Sequence, residues 1–188
     1  RRYMPWLASG CVAALLVAVG AFLAVRGRAA GTGPTLEPKR IVVAQFENHT
    51  GDASLDPLGR MASDWLAQGL SRIEVVEVVP TSATVAAEQA TSRVPGSKRA
   101  DPLRTLAERT GAGTVVSGSY YLVGQELQLQ AKVTDARNNR LLTALEPVAG
   151  SRDAPMNAIE ALRQRIMGVV AARFEANVVS LHESHPPL

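Results

Sequence analysis

The chain has 188 residues, 46% of them hydrophobic and 20% charged, with a single Cys. That suffices for one globular domain and an appendage, and it excludes a two-domain enzyme, wholesale disorder and an internal disulfide framework. The formal charge is +3, but within residues 1–40 Arg1, Arg2, Arg26, Arg28, Lys39 and Arg40 face Glu37 alone, so the remainder is mildly acidic and offers no basic footprint for nucleic acid.

No residue from Tyr3 to Val25 is charged. A run this close to the roughly 20 residues that cross hydrocarbon reads as a transmembrane helix, with Tyr3 and Trp6 as interfacial anchors. The alternative is a cleaved signal peptide, whose apolar part is shorter, roughly 7–15 residues. Ala8-Ser9-Gly10-Cys11 has the look of a lipoprotein box, but most of the apolar stretch follows the Cys, so Cys11 reads as a small apolar helix residue. Basic residues flank both ends, and charge assigns no orientation. The expected organisation is an anchor with its flanks over 1–28, a Gly/Pro/Thr-rich linker over 29–38, a folded domain over 39–178 and a tail over 179–188. A chain that starts on Arg1 is expected to be a piece of a longer protein.

The continuous apolar run Ile41–Phe46 predicts a strand buried on both faces. A polar loop, residues 47–56, follows. Asp56-Pro57 then reads as cap and first helical residue, with Leu58, Met61, Ala62, Trp65, Leu66 and Leu70 on the core face. Residues 74–79 predict a second strand stopped by Pro80, 81–90 a short helix and 91–100 a loop. Asp101-Pro102 opens a third helix that ends at Gly111 or Gly113. Strands over 114–123, 127–134 and 141–148 form a meander, turning at Gly124-Gln125 and at Arg137-Asn-Asn-Arg140. Met156, Ile159, Leu162, Ile166, Val169 and Val170 mark a closing amphipathic helix to about Ala176. The fold class is therefore α/β, a mixed sheet of about five strands with helices packed on it (β-α-β-α-α-β-β-β-α), preceded by the membrane helix.

Few motifs carry chemistry. Gly111-Ala-Gly113 runs from helix into strand, whereas a dinucleotide fingerprint runs from strand into helix so that the helix N-terminus meets the pyrophosphate. No P-loop sequence occurs. Ser117-Gly118-Ser119 falls inside the meander and not on a strand-to-helix elbow, and no nearby histidine is expected in the folded core to serve as base, which disfavours a hydrolase. His49 lies in the first loop and His182 and His185 in the tail, too few for a metal set. Glu47, Asp52 and Asp56 do not have calcium-loop spacing. Asn48-His-Thr50 is formally a glycosylation sequon. No catalytic, cofactor-binding or metal-binding residue is assigned and no cofactor is expected. The candidate interaction residues are Glu47, Asp52 and Asp56 in one loop, with Arg93, Lys98 and Arg99 in another of opposite charge.

Three phrases taken together, IVVAQFENHTGD from Ile41, LAERTGAGTVVSGS from Leu106 and LQAKVTDAR from Leu129, resemble the TolB amino-terminal-like module over residues 40–176. The module's usual Leu-Pro before the first-strand Phe is Ala44-Gln45 here, and its Trp after the second hairpin is absent. The resemblance implies an extracytoplasmic α/β domain without catalytic residues, following a single helix in the bacterial inner membrane. It also implies a serine/threonine kinase or DNA-binding domain upstream, and tetratricopeptide repeats downstream, toward which the tail HESHPPL leads. The expected function is a non-catalytic sensing or interaction module of a signalling protein. Its alternatives are the same module in a membrane-bound transcriptional regulator, or a periplasmic scaffold of envelope or secretion assembly. Expected partners are the membrane, through one helix, and a protein or small ligand, with self-association through the two charged loops; nucleic acid is not expected.

Overall fold

The computed structural model describes residues 35–92 and 101–183. The elements run β1 (Glu37–Val43), β2 (Glu47–Asn48), a 3-10 turn (Ala53–Leu55), α1 (Asp56–Leu70), β3 (Glu77–Val78), α2 (Thr81–Ser92), α3 (Pro102–Thr110), β4 (Ala112–Val123), β5 (Glu126–Asp135), β6 (Arg140–Ala144), β7 (Val148–Ser151) and α4 (Pro155–Glu183). They build one mixed sheet with main path β3-β1-β4-β5-β6, while β2 pairs with β4 and β7 pairs with β5. β1 lies parallel to β3 and β4, and the β4-β5-β6 meander is antiparallel.

Side-chain alternation sorts the sheet into two faces. On one, Ile41, Val43, Val116, Tyr120, Leu127, Leu129 and Val133 pack with Leu58, Ala62, Leu66 and Leu70 of α1 and Ile159, Leu162 and Ile166 of α4. On the other, Val42, Ala44, Ala112 and Val115 meet Ala87 of α2 and Leu106 and Ala107 of α3. β1 is thus buried on both sides, as its unbroken apolar run predicts. The second helix layer is shorter than the first. It covers β1 and the start of β4, leaving the far half of that face, Ser119, Tyr121, Gln128 and Gln130, with no described helix over it and Lys132 at the border beside Leu103.

Several expectations change. The sheet has seven strands against about five expected. Residues 47–48 form a short parallel strand inside the predicted loop, and residues 141–148 split into β6 and β7 around Pro147, which has no N–H for a ladder. Only Glu77–Val78 of the predicted 74–79 strand pairs with β1, because a turn uses the Val76 N–H on Ile73 O. Asp56 is the first residue of α1 rather than its cap. Asp52 caps the preceding 3-10 turn instead, accepting from Ser54 N–H. Trp65 and Met61 are not core residues; each is 40% exposed. The sheet-facing stripe of α1 is Leu58, Ala62, Leu66 and Leu70, and Met61 and Trp65 sit one row round from it. Gly111 closes α3 at φ 69°, and a Cβ on Gly113 would run into the backbone of Glu37 and Pro38, so both glycines of the nucleotide-like pair serve the α3-to-β4 turn.

The expected membrane helix lies in residues 1–34, outside the described residues. Among the described residues no helix is long and apolar enough to cross a membrane. α4 has 29 residues, but Glu160, Arg163, Arg165, Arg173 and Glu175 interrupt it. The single-helix anchor, the membrane as a partner and the inner-membrane location thus find no support among the described residues, and the functional reading does not use them.

Candidate functional site

The loop from Glu47 to Asp56 is organised around Asn48. Its amide nitrogen donates to Asp52 O at 2.9 Å and to Asp56 Oδ1 at 2.6 Å, while its Oδ1 accepts from Thr50 N–H at 2.9 Å and Thr50 Oγ1 at 2.6 Å. Both ends of the Asn48 amide are thus engaged within the loop. Asp52 accepts from Ser54 and pairs with Arg152 beyond β7, and these partners, Ser54 first, hold its carboxyl below the usual carboxylate range. At the loop's inner end Tyr120 O–H donates to Leu55 O at 2.9 Å; burial, followed by the nearby Asp56 charge, pushes that phenol's pKa up.

Glu47 and His49 carry the loop onto the open half of the sheet. β2 sets Glu47 beside Ser119 and Asn48 beside Tyr120. His49 Nε2 lies 3.1 Å from Glu47 Oε2 and Nδ1 lies 2.9 Å from the Tyr121 hydroxyl, with the two rings edge-on at 5.1 Å. Placing the proton on Nε2 satisfies both contacts: the imidazole donates to Glu47 and accepts from Tyr121. Beyond them a cavity of about 380 Å³ is lined by Ser117, Ser119, Gln130, Lys132, Leu103 and Leu145, among others. Ser117 is 6% exposed, and its Oγ meets no hydrogen-bond partner among the described residues.

Of the candidate loop residues, Glu47 reaches this cavity, Asp52 is committed to Arg152, and Asp56 is committed to Asn48. Arg93, Lys98 and Arg99 lie outside the described residues, as does His185. The Ser117-Gly118-Ser119 segment does have a histidine in the same cavity, contrary to the sequence reading. His49 bonds to Tyr121, however, and among the described residues no hydrogen bond joins it to either serine, so no nucleophile–base pair forms. Among the described residues no group of three or more His, Cys, Asp or Glu is placed to hold a metal ion. Sequence reasoning weighed Ser119 only within the Ser117-Gly118-Ser119 segment and missed Tyr121, Gln130 and Lys132. The available signal was their period-two polar alternation on two paired strands, which marks a face set apart from the apolar core.

No protein-family model matches the sequence, and no curated protein matches it either. Solved structures do match. The lipoprotein GNA1162 from Neisseria meningitidis aligns with a TM-score of 0.50 at 18% identity, covering 69% of this chain and 96% of that one. LpoB from Escherichia coli gives 0.48 at 15% identity over 60% of this chain and 56% of its own, so this chain spans little more than half of LpoB. TolB from Acinetobacter baumannii gives 0.38 at 15% identity, covering 73% of this chain and 30% of that one. The likeness is one of fold alone, an α/β module of the kind seen in the Neisseria lipoprotein. None of these matches links it to a protein kinase or to tetratricopeptide repeats, and that part of the expectation is set aside.

Proposed function

We propose that this segment is a non-catalytic extracytoplasmic interaction module, acting as a scaffold in envelope or secretion assembly. The observation that carries the reading is the rim of the open sheet face. A loop locked by Asn48 holds Glu47 and His49 in one geometry beside strands that no described helix covers. Recognition elements on a rigid frame lose little conformational freedom on binding, which favours association. The fold shared with a Neisseria lipoprotein supports a place outside the cytoplasm.

Two experiments test this. A photo-crosslinking amino acid in place of Glu47, in the full chain made in bacteria, should yield a discrete adduct with an envelope protein or with a second copy of the chain. The same group at Glu108 on α3 should not. Absence of an adduct at position 47, or equal labelling at both positions, would overturn the reading. An alkaline phosphatase fused after Leu188 should be active; a silent but intact fusion would place the module inside the cell.

A further inference from the structure

The cavity on the open sheet face contains groups that neither the loop nor the core uses. Ser117 on β4 and Lys132 on β5 are register partners, as are Lys132 and Ala144 on β6. Directly opposed residues on one face stand about 4.5–5.5 Å apart at Cβ, and both of these line the same cavity. Lys132 is exposed and forms no ion pair or hydrogen bond among the described residues. The Ser117 hydroxyl, buried and unpartnered, is costly to leave so. One rung along, Ser119 faces Gln130 and adds further polar groups. Around the Lys132 end the walls are apolar: Leu103 at the start of α3, Ala144 and Leu145.

These features select a ligand chemistry. An unpaired cation beside a hydroxyl donor suits an anionic head, and the Leu103, Ala144 and Leu145 walls suit a short hydrocarbon part. The cavity of about 380 Å³ falls in the range of small-molecule sites. Among the described residues Lys132 is the one Lys or Arg that lines it, and Glu47 stands beside Ser119, where a second negative charge would be repelled. A dianion such as phosphate or a dicarboxylate is therefore disfavoured.

We propose that the open-face cavity binds a small monocarboxylate, its acid group on Lys132 and Ser117 and its short apolar chain against Leu103, Ala144 and Leu145. This site is independent of which partner the module assembles with.

The test is equilibrium dialysis of radiolabelled hexanoate against the full chain. Saturable binding with one molecule per chain is expected. Lys132→Gln should weaken it about tenfold or more, as loss of one charge-assisted hydrogen bond would, and Ser117→Ala severalfold. Lys39→Gln, a cation outside the cavity, should leave binding unchanged. Hexanamide should fail to displace the label, and succinate and inorganic phosphate should displace it less well than unlabelled hexanoate. Lys132 is exposed, so its variant keeps the fold, which its circular dichroism verifies. Absence of saturable binding, equal binding by Lys132→Gln, or phosphate outcompeting hexanoate would each overturn the assignment.

Discussion

The Trp65 indole N–H donates to Glu160 Oε2 at 2.8 Å, clipping α1 to α4 at the rim of the helix layer they share. The same carboxylate receives Arg163 and Gln164, and with Arg163 contributing most, then Trp65, its pKa is held down at about 2. An aromatic residue that helical spacing places in the core thus works at the edge, by its polar tip as much as by its ring.

Truncation of Trp65 should accordingly be mild. Trp65→Ala, at a side chain 40% exposed, is expected to cost about 2 kcal/mol, below the roughly 3–5 kcal/mol of a fully buried Trp. Leu162→Ala, at a position with no exposure, should cost about 2–5 kcal/mol. Urea unfolding of the two variants checks the order; a larger loss for Trp65 would place its ring in the core after all.

Stability should fall in acid, with a sign set by three carboxylates. Asp52, Asp135 and Glu160 all have folded pKa values below their ordinary ones, chiefly through Ser54, Arg137 and Arg163 respectively. Groups depressed in this way contribute fully above the unfolded carboxylate pKa of about 4 and lose the contribution as pH falls through the folded value. Melting temperature should therefore be level from about pH 7 to 5 and decline below about 4, and Glu160→Gln should flatten the lowest part of that decline. Calorimetry across this range decides it, and melting that rises in acid would contradict the assignment.

Asp135, 3% exposed, accepts from Arg137 N–H and Nε at 3.0 Å and from Nη2 at 2.7 Å, holding the β5–β6 turn in which Asn139 takes φ 49°. Asp135→Ala should cost roughly 1.5–3 kcal/mol, as loss of hydrogen bonds to a charged group does. Arg137→Ala should cost less, since part of the carboxylate's partnership, the backbone N–H, survives. Urea midpoints of the two variants measure the difference.

The N-terminal edge of the domain matters more than the sequence suggests. Glu37 N–H donates to Gly111 O at 3.0 Å, and Thr114 Oγ1 donates to Pro38 O at 2.8 Å. A fragment starting at Leu36 should unfold cooperatively, and one starting at Lys39 should be less stable by about 1–3 kcal/mol, two hydrogen bonds' worth. Equal unfolding midpoints for the two fragments would refute this.

Replacing Asn48 should loosen the acidic loop. Asn48→Ala removes four side-chain hydrogen bonds and is expected to cost about 1–3 kcal/mol. Asn48→Asp keeps the acceptor for Thr50 but sets a carboxylate against Asp52 O and Asp56, so its deficit relative to the parent protein should be larger at pH 7 than near pH 3. Denaturation of both variants at the two pH values distinguishes lost donors from added repulsion.

What the sequence by itself determined is the part governed by periodicity. β1 reads as buried on both faces because an unbroken apolar run has no solvent side; β5 alternates because one face is core; Asp101-Pro102 opens α3 because cap and ring chemistry are local. Only the tertiary structure decided what depends on reach. α2 and α3 stop short of covering β4 and β5, so Ser119, Tyr121, Gln130 and Lys132 face outward together, and β2 brings His49 to Tyr121, 72 residues away. Asp52 and Asp56 read alike in sequence as loop carboxylates, yet one is claimed by Arg152, 100 residues on, and the other by Asn48. Periodicity reports which side of an element is apolar. It carries no information about how far a neighbouring helix extends or which distant side chain arrives, because those follow from packing among elements remote in sequence.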